Sequence, residues 1–192
     1  MQPKELLSIL SVAEKLKCNT RHSDTSSGRR ESVAEHSWRV ALMAMLLEDE
    51  FPDTDIDQVI KMCLIHDLGE AFTGDIAAFD KTKADTQKED ELYRAWVAQF
   101  PAYQMKQFQK LLDEMEKQET KEAKLYKALD KMEAVIQHNE ADIGSWLPLE
   151  YDLQLSYGER EVQFSKYLQE LKETVNRQTI EKIKQEKNVP TE

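Results

Sequence analysis

The sequence has few of the residues that tight turns, disulfides and membrane spans require. Its 192 residues include only five glycines and five prolines, too few for a turn-rich β-sheet protein. Cys18 and Cys63 are too few for a disulfide framework, so we expect a reduced, cytoplasmic protein. No apolar run reaches the roughly 18 residues of a membrane span, and the N-terminus lacks a signal-peptide pattern. No membrane partner is therefore expected.

The chain also has a deficit of positive charge. Its 26 basic residues face 37 acidic ones, which gives a net charge of −11 at pH 7. An acidic surface repels the backbone of DNA and RNA, so nucleic acid is not expected as a partner. A small phosphate ester is still compatible with this charge, because a bound divalent cation reverses the field locally.

What the sequence contains in abundance are helix-forming residues such as Leu, Ala, Glu, Lys, Gln and Met. Apolar spacing and N-terminal caps predict an all-α fold of about six to seven helices, with no convincing strand. The predicted helices cover 3–17, 32–50, 55 to 68 or 70, 86–99, 102–117, 120–142 and 159–187. We expect His138 to be exposed on the sixth helix and Phe164 to be buried by the last.

Two irregular stretches interrupt these helices. Residues 18–31 are polar and hold three arginines, so we expect a loop that is mobile without a ligand. Residues 144–158 include Trp146 and Tyr151, and this stretch is too aromatic for a simple linker. We therefore expect the second stretch to pack on the core.

Ionisable residues on apolar helix faces are the strongest functional signal. Helical spacing turns His36 and His66 toward the core, with Glu70 one turn after His66, and puts Asp130 beside an apolar stripe. Burying such groups is costly unless something compensates them. A single inward histidine is more often a hydrogen-bonded core residue, and Asp130 alone could pair with a neighbouring lysine. Two imidazoles together with the carboxylates of Asp67 and Asp130 instead suit one divalent metal ion, whether Mn²⁺, Co²⁺, Fe²⁺, Zn²⁺ or Mg²⁺.

Four short motifs occur in a characteristic order along the chain. They are Glu31-Ser32-Val33-Ala34-Glu35-His36-Ser37, His66-Asp67-Leu68-Gly69-Glu70, Thr73-Gly74-Asp75 and Asp130-Lys131. Over about residues 5–140 this order resembles the HD-domain phosphohydrolase superfamily, and within it the 5′-deoxynucleotidases. The resemblance implies a compact HD-domain helical bundle, as a single domain over 1–192 whose helix 159–187 packs on the core.

The resemblance also implies roles for individual residues. The implied metal ligands are His36, His66, Asp67 and Asp130, with Asp67 also counted as catalytic. Glu70 would assist the attacking water, and Asp75 would lie near the nucleotide sugar. Arg21 would grip the phosphate, as arginine can do in bidentate fashion. The subgroup usually has a tryptophan near this arginine, whereas His22 follows it here, so either His22 substitutes in part or the substrate differs.

The function implied by the resemblance is that of a metal-dependent phosphomonoesterase acting on (deoxy)nucleoside 5′-monophosphates. Two alternatives stay open: an HD-type phosphodiesterase or nucleoside triphosphohydrolase, and a non-catalytic metal- or nucleotide-binding regulator. The sequence shows no Gly-rich triphosphate loop and no dense Lys/Arg cluster, which disfavours the triphosphate reading. A pure binding module would not need Glu70 and Asp75. Because the family often forms dimers, a homodimer is also expected.

Overall fold

The computed structural model describes residues 1–187, and most of this part of the chain is helical. The long helices are α1 (Pro3–Ala13), α2 (Val33–Leu46), α3 (Ile56–Ile65), α5 (Lys83–Val97), α6 (Ala102–Lys117), α7 (Lys121–Glu140) and α9 (Lys166–Lys187). The short elements are β1 (Thr20–Asp24), β2 (Arg30–Ser32), α4 (Glu70–Thr73) and α8 (Glu150–Ser156). The predicted all-α class and all seven predicted helices are confirmed within the described range.

The caps that began two of the predicted helices are present. The Ser32 side chain accepts from the Glu35 backbone N–H, and a Glu35 carboxylate oxygen accepts from the Ser32 backbone N–H at 2.9 Å. This reciprocal capping box satisfies N–H groups that the first turn of α2 leaves unpaired. Asp55 caps α3 with a single bond, since its Oδ1 accepts from the Gln58 N–H at 3.1 Å. Both caps orient helices that carry predicted metal ligands.

The first irregular stretch forms a hairpin, so the prediction of a strandless loop was wrong. β1 and β2 pair antiparallel, with Thr20 opposite Ser32 and Asp24 opposite Arg30. Gly28 lies in the connecting turn at φ +79°, a conformation that residues with a Cβ seldom adopt. The strands were missed because their residues are polar on both faces, which hides the alternation typical of a half-buried strand. The hairpin holds Arg21 against the helical core.

The core lies where α2, α3 and α7 pack on one another. Its fully buried side chains include Val40, Val59, Met62, Leu125, Leu129 and Met132. Burying side chains of this size stabilises the fold by about 1.5–3 kcal/mol each. The predicted ligands lie on or next to these three helices, so the packing that drives folding also sets their relative positions.

The C-terminal part of the chain packs on α7, although its helix begins later than predicted. The helix α9 starts at Lys166 rather than 159, and Phe164 is 41% exposed in the preceding turns, so its predicted burial was wrong. Asn139 of α7 donates from Nδ2 to the Val175 carbonyl at 3.2 Å. Trp146 is buried and donates to the His138 carbonyl at 3.1 Å, which confirms that 144–158 packs on the core.

Over residues 1–187, no helix combines the length and apolar character needed to cross a membrane.

Candidate active site

Helices α2 and α7, together with the turn that ends α3, bring the four predicted metal ligands together. His36 Nε2 lies 3.1 Å from Asp130 Oδ1 and 3.8 Å from Asp67 Oδ2. His66 Nε2 lies 3.1 Å from Asp67 Oδ2 and 3.5 Å from Asp130 Oδ1. Two imidazole nitrogens and two carboxylate oxygens therefore face one another across a few ångströms, in a mixed N/O donor set.

The other nitrogen of each imidazole is bonded within the protein. Nδ1 of His66 donates to the Cys63 carbonyl at 2.8 Å, and Nδ1 of His36 contacts the Glu133 carboxylate. Because Nδ1–H is engaged, the neutral ring presents its lone pair at Nε2, the atom that faces the carboxylates. The Nε2 atom of His66 is also buried without a well-aligned hydrogen bond to the described residues.

The charge balance at this cluster also fits a cation. Burial lowers the pKa of His66, but Asp67 and Asp130 outweigh burial and raise it to about 10. Burial raises the pKa of Asp130, yet Lys127 and the two histidines bring it well below its usual value. The cluster therefore attracts positive charge strongly, and the donor set fits a divalent metal ion.

The predicted alternative for Asp130, a pair with a neighbouring lysine, is also present. Lys127 Nζ donates to Asp130 Oδ2 at 2.8 Å, while Asp130 Oδ1 faces the histidines. The two interpretations are compatible because they use different oxygens of one carboxylate. Lys127 then fixes the orientation in which Oδ1 meets the imidazoles.

Glu31 and Glu133 form a second buried acidic layer behind His36. Both side chains are at most 2% exposed, and with His36 they make a further group of donors close enough to share an ion. Burial and the nearby Glu133 raise the pKa of Glu31 to about 7, although Arg21 opposes this. Neither residue was among the predicted ligands, although Glu31 opens the first of the four motifs.

Arg21 on β1 reaches the site from the hairpin. Its Nη1 lies 3.4 Å from Asp67 Oδ2, and its Nε lies 3.4 Å from Glu31 Oε2. Burial lowers the pKa of Arg21, but Asp67, Asp75 and other carboxylates raise it above its ordinary value, so the guanidinium stays charged. The structure thus brings the predicted phosphate-binding residue next to a predicted metal ligand.

Glu70 begins α4 and is only 4% exposed, so it is not a solvated charge at a helix end. Burial and the nearby carboxylates of Asp67 and Asp75 raise its pKa to about 10. Its Oε2 is buried without a hydrogen-bond partner among the described residues. A cation bound at the ligands would lower this pKa again and restore the carboxylate.

Asp75 reaches the same region through a sharp turn. Gly74 has φ +76°, which a residue with a Cβ would adopt only under strain, and this turn ends α4. Asp75 lines a cavity together with Arg21. Burial raises the pKa of Asp75, and Arg21 opposes that rise.

This cavity opens to solvent, has a volume of about 80 Å³ and lies between the hairpin, α7 and α8. Its polar lining includes Arg21, His22, Asp75, His138, Glu150 and Gln154. His138 is 3% exposed, so its predicted exposure was wrong. The sequence could not reveal this cavity because it is assembled from segments more than 100 residues apart.

Two histidines and two aspartates from successive helices, in this order along the chain, define the HD class of site. The model of the family described as HD domain matches residues 13–172, and the chain belongs to this family. The predicted resemblance is confirmed.

Curated relatives are similar in sequence to part of the chain. Human 5′-deoxynucleotidase HDDC2 is 33% identical over 114 residues, which cover 58% of this chain and 55% of the human protein. The protein of the same name from Dictyostelium discoideum is 31% identical over 141 residues, covering 68% of this chain and 74% of that protein. The chain thus spans about half the length of most of the curated relatives it matches.

The fold also matches a crystal structure of a protein from Magnetospirillum magnetotacticum, described as a predicted metal-dependent phosphohydrolase. The two chains share 26% identity, the TM-score is 0.78, and the match covers 93% of each. The HD-domain bundle is therefore shared almost from end to end.

Proposed function

We propose that the chain is a metal-dependent phosphomonoesterase that hydrolyses (deoxy)nucleoside 5′-monophosphates to nucleoside and phosphate. The observation that carries this proposal is the convergence of the imidazoles of His36 and His66 with the carboxylates of Asp67 and Asp130. Relatives named 5′-deoxynucleotidase support the choice of substrate. One divalent ion would be held by these four side chains.

The residues around the four metal ligands have different roles in the proposed hydrolysis. A divalent cation, when bound, supplies Lewis acidity and neutralises phosphate charge. Arg21 binds the phosphoryl oxygens with a guanidinium that Glu31 and Asp67 hold in place. Glu70, which a bound cation would restore to a carboxylate, orients the attacking water and takes its proton from a buried position next to Asp67. Asp75 contacts the sugar at the cavity wall.

The cavity favours a monophosphate over a triphosphate. Arg21 is the sole arginine among the described lining residues, which include no lysine. A triphosphate carries more negative charge and would need further cationic partners. Phosphodiesterase activity and binding without turnover are the remaining outcomes that an assay must separate.

A phosphate-release assay tests the proposal. We would offer deoxynucleoside and ribonucleoside monophosphates, cyclic dinucleotides and triphosphates, each with Mn²⁺, Co²⁺ or a chelator. We expect release from monophosphates that the chelator stops and that Asp67→Ala loses. Asp57→Ala is the matched control, because Asp57 is an exposed aspartate in α3, the helix that ends just before Asp67. Absence of release from every monophosphate, with the metal shown to be bound, would contradict the proposal.

Several finer features stay predictions. They are the identity of the metal, a cytoplasmic location, a homodimer, a single domain over 1–192 and the absence of a nucleic-acid partner. Each is independent of the assay above and needs its own measurement.

A further inference from the structure

The α8 side of the cavity carries polar residues for which the proposed hydrolysis has no use. We propose that this side binds the nucleobase and that Gln154 determines specificity by accepting a hydrogen bond from an exocyclic amino group. The inference rests on the proposed function, because it assigns the base of the monophosphate whose phosphate Arg21 would bind.

Gln154 has an unused buried acceptor. The residue is 6% exposed and lines the cavity, and its Oε1 has no hydrogen-bond partner among the described residues. Leaving such a buried atom unpaired has a free-energy cost. A ligand that donates an N–H to Oε1 would recover this cost.

The other acceptor in this part of the cavity is already occupied. Glu150 is 3% exposed and its Oε1 lies 3.2 Å from His22 Nε2, while its Oε2 lies 3.3 Å from His138 Nε2. The Leu147 backbone N–H also donates to Glu150 Oε2 at 2.6 Å. Both oxygens of Glu150 therefore face groups of the protein, whereas Oε1 of Gln154 is left for a ligand.

Flat rings line the wall beside Gln154. The ring of His22 meets Phe79 edge to face, with centroids 5.3 Å apart, and stacks with His138 at 6.3 Å. Aromatic faces of this kind bind planar heterocycles by stacking. A planar ring with an amino group at its edge fits both the wall and the acceptor.

Adenine, cytosine and guanine carry an exocyclic amino group, and thymine and uracil do not. A site built to bond a polar group discriminates against an analogue that lacks the group. The sharpest comparison is dAMP with purine 2′-deoxyriboside 5′-monophosphate, which has the same ring system without the amino group. We expect wild-type kcat/KM to be about tenfold higher for dAMP, as one hydrogen bond to a buried acceptor implies.

The test compares KM and kcat for these two nucleotides and for 2-deoxyribose 5-phosphate, which has no base. In Gln154→Leu we expect KM for dAMP to rise about tenfold with kcat changed less than about twofold, so that the preference disappears. Hydrolysis of 2-deoxyribose 5-phosphate should not change. Gln99→Leu is the matched control, since Gln99 is exposed and its side chain donates to the Ala95 carbonyl one turn earlier.

A second variant separates the loss of the hydrogen bond from a folding defect. Gln154→Glu keeps an acceptor oxygen and should retain the preference for dAMP. Equal kcat/KM for the two nucleotides in wild type, or an equal loss on all three substrates in Gln154→Leu, would overturn the role of Gln154 while leaving the phosphatase proposal intact. A wild-type protein that hydrolyses no monophosphate would overturn both proposals.

Discussion

Lys172 is a buried lysine on α9 that should make the stability of the fold depend on pH. The residue is 2% exposed, and its Nζ donates to the Gln154 carbonyl at 2.9 Å. Burial lowers its pKa from 10.5 to about 8, and Glu159 only partly opposes this. The folded state thus binds this proton less well than the unfolded chain, so unfolding is favoured where the lysine is charged.

The two pKa values of Lys172 give the free energy by which its charged form destabilises the folded state, called here the penalty. The difference between 10.5 and about 8 corresponds to about 3.4 kcal/mol at 1.36 kcal/mol per pKa unit. The penalty is nearly complete at pH 7 and is lost as the pH rises from about 8 to about 10.5. At pH 9 about 2 kcal/mol of it remains, so about 1.3 kcal/mol disappears between pH 7 and pH 9.

Urea unfolding of wild type and Lys172→Met at both pH values measures this change. Methionine keeps most of the apolar stem and carries no charge, so we expect its advantage over wild type to shrink by about 1.3 kcal/mol from pH 7 to pH 9. Lys172→Met also loses the hydrogen bond to the Gln154 carbonyl, and this loss changes its free energy of unfolding by a similar amount at pH 7 and pH 9. Lys166→Met, which changes a lysine with a 90% exposed side chain on the same helix, should show no such change. A difference between wild type and Lys172→Met that is the same at pH 7 and pH 9 would refute the reasoning.

Two further substitutions test the site and the core. Glu133→Ala removes the contact to His36 Nδ1, so we expect calorimetric titration with Mn²⁺ to show about 10–100-fold weaker binding, and unchanged affinity would contradict an orienting role. Leu129→Ala opens a cavity at a fully buried position in α7, so chemical unfolding should show a loss of about 2–5 kcal/mol. Leu46→Ala, at a position 66% exposed, should cost far less, and equal losses would be inconsistent with the described core.

The helices and the metal-ligand cluster were predictable because both depend on local periodicity. The 3.6-residue period alone turned His36 and His66 inward, and the structure leaves them 0% and 4% exposed at the side chain. Capping signals at Ser32 and Asp55 gave the starts of two helices within a residue. The resemblance to a known family then supplied the chain order that joins the ligands into one site.

The hairpin and the α8 side of the cavity were not predictable, because they depend on contacts between distant segments. Arg21 and His22 lie on a short polar strand whose pattern resembles that of an exposed loop. The sequence pattern of α7 predicts His138 at the surface, but His22, Trp146 and Glu150 pack against it and bury it. Such contacts between distant segments override the preference of each residue for the surface or for a loop. The periodicity of a single segment therefore cannot predict them.

The candidate active site carries an excess of acidic side chains, as the whole chain does. The acidic side chains there are Glu31, Asp67, Glu70, Asp75, Asp130 and Glu133, and the permanently positive ones are Arg21, Arg39 and Lys127. A phosphate dianion brought to this cluster would be repelled unless further positive charge came with it. The raised pKa values of Glu31 and Glu70 express the same imbalance, because protonation is the other way to remove negative charge. Binding of a divalent cation would relieve both, and a chain with a net charge of −11 could then accept the proposed phosphate ester.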